Sequence, residues 1–408
     1  MNATVPRCLR ECRWWWCAVG IVIAGAGAAL PVAAAELDDS PSPSAIAVHG
    51  FVSQGYIKST GNDYLVASKG AGSFDFSEAG INFTTQLTDR FRVGIQLFAY
   101  ELGKLGQYAT SADWYYLDYH LRDAFGIRAG RLKMPLGFYN DIADVDAARV
   151  PVLLPSGVYP AIDRNLFLAQ TGAEIYGYLR VGILGALDYR VFGGSLQVVL
   201  PSQAGSLAQV SEYAVPYVGG GRLLWETPLD GLRVGVTGVA LRAKATVVLL
   251  SLWPGAGNPA PTLDESENFY LGIGSIEYAV HDLLLQAEFT SQRAVLTTDN
   301  QAVVPNTVLV NEAGYGLVAY RVRRWLEPGV YYSLAYNNRN LGAEQDDRNV
   351  QHDLAATLRF DINSFWIVKV EGHFMHGTGL INGSDTSKDV LTNPVNWGLF
   401  LIKTTGYF

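Results

Sequence analysis

Cysteine, methionine and long apolar runs are what this chain has least of. Its three cysteines, Cys8, Cys12 and Cys17, all sit at the extreme N-terminus. The rest of the chain therefore has no disulfide staple, no thiolate metal site and no cysteine nucleophile, a composition suited to crossing an oxidising compartment unfolded. Beyond position 35 no apolar block approaches the ~20 residues that a membrane-spanning helix needs. Charge of positive sign is also scarce, with 30 Lys and Arg against 38 Asp and Glu. Nucleic acid is not expected as a partner. No phosphate-cradling Gly-rich loop, zinc spacing, dinucleotide fingerprint or Gly-x-Ser-x-Gly element occurs, so no cofactor, resident metal or catalytic residue is assigned.

The first 35 residues read as an export signal. Arg7, Arg10 and Arg13 form a basic start, Ala18 to Leu30 an apolar stretch, and Ala33, Ala34 and Ala35 a small-residue cleavage site. An uncleaved anchor that reaches back through Trp14, Trp15 and Trp16 is the alternative. Cleavage removes three Arg and one Glu, leaving 27 basic and 37 acidic residues and a net charge of −10. Residues 36–47 are expected to be a short flexible leader and 48–408 one domain.

What fills that domain is strand-like alternation. Ala79, Ile81, Phe83, Thr85 and Leu87 alternate with Glu78, Gly80, Asn82, Thr84 and Gln86. After Thr88 and Asp89, Phe91, Val93, Ile95, Leu97 and Ala99 alternate with Arg92, Gly94, Gln96 and Phe98. This is a hairpin with one apolar and one mixed face. Six further tight connections recur, near 122–123, 180–182, 228–230, 280–282, 323–324 and 361–363. With lone runs at 49–57 and 396–408, the seven hairpins give about sixteen strands, the even number expected of a bacterial transmembrane antiparallel β-barrel. Longer polar connections (58–74, 103–110, 134–169, 194–215, 243–267, 294–311, 338–349 and 377–394) alternate with the short turns. In such barrels the short turns are periplasmic and the long loops extracellular, which puts both termini in the periplasm. Aromatics beside the short turns (Phe91, Tyr119, Phe125, Trp225, Trp325, Phe360, Trp366, Phe408) form the ring that a membrane interface favours.

The alternation also assigns faces. Leu354, Ala356, Leu358 and Phe360 are expected to meet outer-membrane lipid, with Gln351, Asp353, Thr357 and Arg359 inside. Trp366, Val368, Val370, Gly372 and Phe374 face out, leaving Lys369, Glu371 and His373 in the lumen; Leu232, Val234, Val236, Gly238 and Ala240 continue the outer face opposite Arg233 and Thr237. Arg92 and Gln96 complete the lumen wall. The runs 268–278 and 313–322 are apolar on both faces, and their register stays open.

Sixteen strands leave an aqueous channel rather than a packed core. The longest loop, 134–169, is rich in Pro, Asp and apolar residues, a composition better suited to folding into the bore than to lying free in solvent. It carries Asp141, Asp144, Asp146, Arg149, Asp163 and Arg164, and the strand before it ends with Arg128, Arg131 and Lys133. An acidic loop facing a basic wall would set a transverse field at the constriction. Arg128 and Arg131, three residues apart, point to opposite sides of a regular strand, which a bulge at Gly130 or a position above the lipid boundary would resolve. Asp141, Asp144 and Asp146 offer clustered carboxylates for calcium, but their spacing lacks the glycine and closing Glu of a twelve-residue loop. His120, His352, His373 and His376 lie on strands without a nucleophile motif.

The run Gly130-Arg131-Leu132-Lys133-Met134-Pro135-Leu136-Gly137 resembles the Gly-Lys-x-Lys-x-Pro-Phe-Gly element of the phosphate-selective porin O and P family. His49-Gly50-Phe51-Val52-Ser53-Gln54-Gly55-Tyr56 and Leu87-Thr88-Asp89-Arg90-Phe91-Arg92-Val93-Gly94 resemble a related group of Gram-negative porin-like proteins. The resemblance implies sixteen strands, an inward-folded third loop and a homotrimer; only Arg128, Arg131 and Lys133 carry over as candidate solute contacts. Phe408, with Phe400 and Ile402 before it, resembles the terminal strand by which barrel substrates meet the barrel assembly machinery. The expectation is an outer-membrane channel for passive diffusion of small hydrophilic solutes. A lipid hydrolase barrel and a structural or adhesive barrel with a blocked lumen are the alternatives.

Overall fold

The computed structural model describes residues 45–161, 164–198, 208–249, 261–302, 304–342, 346–381 and 393–408. The export signal and most of the leader lie outside them. Sixteen antiparallel strands close into one barrel in sequence order. They are β1 (Ala47–Ser59), β2 (Phe76–Thr88), β3 (Phe91–Leu102), β4 (Ser111–Arg122), β5 (Phe125–Lys133), β6 (Ala169–Arg180), β7 (Ala186–Leu196) and β8 (Ala208–Glu226), then β9 (Leu232–Leu249), β10 (Thr262–Val280), β11 (Leu283–Thr298), β12 (Thr307–Tyr320), β13 (Leu326–Tyr336), β14 (Val350–Asn363), β15 (Trp366–Gly377) and β16 (Asn396–Tyr407).

The seam is made by β1 and β16, paired from Phe51 with Tyr407 to Ser59 with Leu399. Gly50 and the terminal Phe408 lock its short-turn end, each donating its N–H to the other's carbonyl at 2.9 and 3.0 Å. No edge strand is left: each strand has a paired neighbour on both sides, as a sheet in hydrocarbon requires.

The seven tight turns fall where the alternation breaks, and β1 begins at Ala47, the last residue of the expected leader. The loop boundaries differ on one side. Strands β8, β9, β10 and β11 run 19, 18, 19 and 16 residues, well past the ~10 that span a bilayer. Much of what reads as polar loop at 194–215, 243–267 and 294–311 is therefore strand standing above the membrane. Val247, Leu249 and Leu263 bury themselves against Val210 and Val304 there, supplying the apolar contact that holds the extension together.

Faces follow the pleat. Leu354, Leu358, Trp366, Phe374 and Val236 are exposed outward, whereas Asp353, Thr357, Arg359, Lys369, Glu371 and Thr237 are buried inside. At the short-turn end Tyr119, Trp225, Trp325, Trp366 and Phe408 are exposed. The two unassigned runs are resolved: Phe269, Leu271, Ile273, Ser275 and Glu277 point inward on β10, as do Ala313, Tyr315, Leu317 and Ala319 on β12. Their inner face is apolar because it packs against a loop and not against water.

Replacing outward-facing Ala356 with Arg is expected to destabilise the folded barrel by roughly 2–4 kcal/mol, because a cation would then face hydrocarbon near mid-depth. Equilibrium unfolding in lipid vesicles checks this, and an unchanged midpoint would contradict the assigned register.

Candidate functional site: the loop across the bore

The segment between β5 and β6, residues 134–168, crosses the barrel interior and touches the wall on almost every side. Its entry is set by two glycines with left-handed backbone, Gly130 at φ 139° and Gly137 at φ 55°. Between them Met134 and Leu136 turn into an apolar cluster with Phe192, Val218, Val239 and Leu271 of the wall. The Arg222 guanidinium donates to the Gly137 carbonyl at 3.0 Å. Farther on, Phe138, Val150, Leu154 and Val158 pack on Ala313, Tyr315, Leu317 and Tyr331. Gly157 is the closest approach: a Cβ there would lie 2.7 Å from that of Ala313 and 2.9 Å from that of Ala335. A third cluster joins Val152 and Leu153 to Ile57, Phe76, Trp397 and Leu401 beside the seam.

Polar contacts fix the loop between these clusters. On β11, Glu288 accepts from the Phe138 N–H (3.0 Å), Ser275 (2.5 Å), Tyr315 (2.8 Å) and the Tyr159 hydroxyl. On β14, β15 and β16, Arg359, Lys369 and Lys403 stand side by side in register. Lys369 Nζ donates to the carbonyls of Asp146 (2.8 Å), Arg149 (2.8 Å) and Pro151 (3.2 Å), and Arg359 to that of Ala147 (2.8 Å). Asp146 answers the same row, lying 3.0 Å from Lys403 and 2.8 Å from Arg149 and accepting from Thr405 at 2.5 Å. Glu371 accepts the Val152 and Leu153 amides at 2.7 and 2.9 Å. His373 braces it, with its two ring nitrogens on Asp353 (2.9 Å) and Glu371 (3.1 Å). Two acceptor-only carboxylates require both nitrogens to carry protons, so this imidazole is held as the cation.

The second group of expected residues gathers on the opposite wall. Lys133 pairs with Asp144 and lies 3.9 Å from Asp113; the Gln96 amide donates to Asp144 at 2.7 Å, and Arg164 lies 3.0 Å from Asp113. Asp141 pairs with Arg190 at 2.7 Å. Below them a cross-strand row alternates in sign, Arg92 (β3), Asp118 (β4), Arg128 (β5), Glu174 (β6), directly paired in register. Separations are 3.2, 3.2 and 3.5 Å, and the Arg128 guanidinium also lies 4.0 Å from the Tyr176 ring centre.

Several expectations need correcting. Acid and base do not face each other across open space: Asp144 and Asp141 touch the wall, so the field collapses into ion pairs. Pairing runs unbroken through Gly130, and the extra residue is Asp113 on β4, where the register shifts opposite Gln96 and Leu97. Arg131 pairs with Tyr115 and Thr171 in register, donates to the Asp113 carbonyl at 3.0 Å, bracing the bulge, and borders the space between loop and wall with Arg128 and Lys133. Arg233 stands apart from both groups, on Glu277 at 2.5 Å. Asp163 lies outside the described residues. Asp141, Asp144 and Asp146 diverge to three parts of the wall, and among the described residues no set of three acidic, His or Cys groups is arranged to hold a metal.

Sequence reasoning missed Asp113, Asp118, Glu174, Arg190, Glu288 and Lys403. Lys403 was implicit, since Phe400 and Ile402 were read as outward. The others needed the loop, because nothing local shows which inward charges it covers.

Two spaces remain. One of about 530 Å³ opens toward the short-turn end between the loop and the wall of β2–β7, lined by Arg92, Arg128, Trp114, Tyr116, Asp141 and Asp144 among others. The other, about 120 Å³, lies on the long-loop side and is lined by Tyr100, Leu136, Leu153, Arg164 and Asp144 among others. Asp144 borders both.

A closed sixteen-strand barrel with a long loop folded into its bore is the architecture of outer-membrane porins. Neither family models nor curated proteins give a match by sequence. Solved structures do match in fold. Salmonella typhi OmpF in complex with daunomycin superposes with a TM-score of 0.54 at 15% identity, over 90% of this chain and 98% of that one. The Acinetobacter baumannii outer-membrane channel DcaP gives 0.53 at 11% identity, over 90% and 98%. The anion-selective porin of Comamonas acidovorans gives 0.52 at 10%, over 90% and 100%.

Burial pushes the Asp144 carboxyl up, but Lys133, Arg164 and the Gln96 amide outweigh it and hold it at about 2. Asp146 is buried too, and Lys403, Arg149 and Lys369 hold it well below the ordinary carboxylate range. Both carboxyls bind protons more weakly folded than unfolded, so their contribution is full above the ordinary value of 3.8; that of Asp144 is lost as pH falls toward about 2, and that of Asp146 only at more acid pH. A spin label on the loop should stay immobile at neutral pH and loosen across that window; mobility independent of pH would contradict the latch. Glu371→Ala, which leaves His373 and two loop amides without their acceptor, is expected to cost about 3–5 kcal/mol, measured by unfolding in detergent.

Proposed function

We propose that the chain is exported, cleaved after Ala35 and inserted into the outer membrane of a Gram-negative bacterium, where it conducts small hydrophilic solutes by passive diffusion. The observation that carries this reading is that Asp144 lines both spaces, one on each side of the loop. A solute entering from either side reaches the same carboxylate, flanked by Lys133 and Gln96. Elsewhere around the loop the bore is closed by apolar contacts, which makes this the path of least desolvation.

The wall of the larger space presents both signs in alternation, so it orients dipoles more than it sorts net charge. Phosphate selectivity is not part of the proposal. Lys133, Arg128 and Arg131, the positions matching the phosphate-selective family, are engaged by Asp144, by Asp118 and Glu174, and by the Asp113 carbonyl. No covalent step is proposed either: His373 has both ring nitrogens on carboxylates, and His352 and His376 lie on outward positions of β14 and β15, paired with each other. A homotrimer and delivery by the barrel assembly machinery through β16 and Phe408 complete the reading, the first carried by the family resemblance and the second by the aromatic last residue at the seam.

The lumen-blocked alternative is favoured by one observation, the anchorage of the loop all round the wall. Bilayer recordings separate the two. Wild-type protein is expected to conduct, with Lys133→Gln moving the reversal potential in a salt gradient toward cation preference and Asp144→Asn toward anion preference. Reversal potentials unmoved by both would place the path elsewhere. A silent wild type that conducts once Asp146 is replaced by Ala would make the loop a plug.

A further inference from the structure

One strongly charged patch lies outside the bore altogether. Arg242 and Lys244 on β9 and Arg293 on β11 are exposed and occupy outward positions, since Leu241 and Ala243 between them are buried inward. Arg242 stands in register with Tyr217 of β8 and Asn268 of β10, and Arg293 with Tyr270 of β10. Both tyrosines are exposed, at 71% and 52%. Strand spacing of about 4.8 Å and a rise of about 3.3 Å per residue put the Cα atoms of Arg242 and Arg293 roughly 12 Å apart, within reach of one headgroup for two long side chains.

None of the three cations makes a hydrogen bond or ion pair with a described residue. On the same face Glu312 is level with Ser291, one strand from Arg293, and is taken by Arg339 at 3.0 Å. Glu212 and Asp264 are level with Thr246, two residues beyond Lys244, and Asp264 accepts the Thr246 hydroxyl at 2.9 Å. The connecting segments 199–207 and 250–260 contain no Asp or Glu. Among the described residues no carboxylate is paired with any of the three cations. Immediately below, toward the short turns, Gly221, Gly238 and Gly272 stand side by side on β8, β9 and β10. A Cβ at Gly238, Gly272 or Gly274 would meet nothing within 4 Å, so this strip of the outer surface is bare backbone.

We propose that Arg242, Lys244 and Arg293, flanked by Tyr217 and Tyr270, bind the phosphate-bearing headgroup of a membrane lipid whose acyl chains lie along the glycine strip. Guanidinium groups meet phosphate oxygens in fork geometry, and tyrosines prefer the interface where a headgroup sits. The bare strip gives straight chains contact with the barrel where side chains would hold them away. A free phosphate would use only the upper half of this arrangement. A second copy of the chain would have to bring carboxylates to three unpaired cations. The proposal rests on the barrel being embedded in a membrane, and the experiment separates the two ideas.

Full-length mature protein in neutral detergent is mixed with a bis-phosphorylated glucosamine lipid or with its dephosphorylated form, and retained lipid is counted by native mass spectrometry. Wild type is expected to retain the phosphorylated lipid, and R242Q/K244Q/R293Q to retain it more than about tenfold less, as three surface cations imply. Lys58→Gln, on the outward face of β1, is expected to retain it fully, and all variants should keep the same heat-modifiable gel mobility and single-channel conductance. Equal retention by the triple variant, or of the dephosphorylated lipid by wild type, overturns the site. Full competition by millimolar inorganic phosphate would make it a plain anion site, and a change of oligomeric state with unchanged retention a protein contact; either result also overturns it. A barrel that stays dissolved without detergent would instead remove the membrane reading.

Discussion

The structure depends first on closure. In hydrocarbon an unpaired backbone amide has no water to turn to, so a sheet is tolerated only when its first strand pairs with its last. Here that requirement is met by β1 and β16, and the reciprocal bonds of Gly50 and Phe408 place the final residue of the chain at the seam. Because the wall is closed, every second side chain is forced inward whatever its chemistry. That is how Arg359, Lys369 and Lys403 come to stand in one row, a concentration of like charge that a soluble core would not hold.

The inward cations then determine what the long loop can be. Buried positive charge must be satisfied, and it is satisfied largely by the loop's own backbone: the carbonyls of Asp146, Ala147, Arg149 and Pro151 all receive a wall cation. A loop so used has its carbonyls directed outward, and its apolar side chains, Phe138, Val150, Leu154 and Val158, are left to pack on whatever wall is apolar. The result resembles a small globular core formed between loop and barrel, with water confined to the side where Lys133, Asp144 and Arg128 lie.

Function and stability are therefore set by the same contacts. Asp144 is both a latch on Lys133 and Gln96 and the group shared by the two spaces on either side of the loop. Asp146 has no access to the larger space and serves the latch alone. Neighbouring residues of one acidic motif are thereby divided between the edge of the open space and the scaffold.

How much of this was legible varies with how local the cause is. Alternation along β2 and β3, tight turns such as Thr88-Asp89, and the outward sets on β14 and β15 are imposed by one strand's own pleat and the surrounding lipid, so residue order states them directly. The acidic, Pro-rich character of 134–169 marked the loop for the same reason. Residues Asn268–Tyr278 and Ala313–Val322 defeated the reading because their inner faces are apolar, and what makes an inner face apolar is a loop well over a hundred residues away in sequence. The bulge at Asp113 went unread because it lies on β4 and shows only in the pairing with β3. The sequence by itself determined a closed sixteen-strand wall and the segment that enters it, because pleat period and turn chemistry are short-range. Which charges neutralise one another, where the bore is greasy and where it is wet, was decided only in three dimensions, since ion pairs and packing join residues that the barrel brings together and the chain keeps apart.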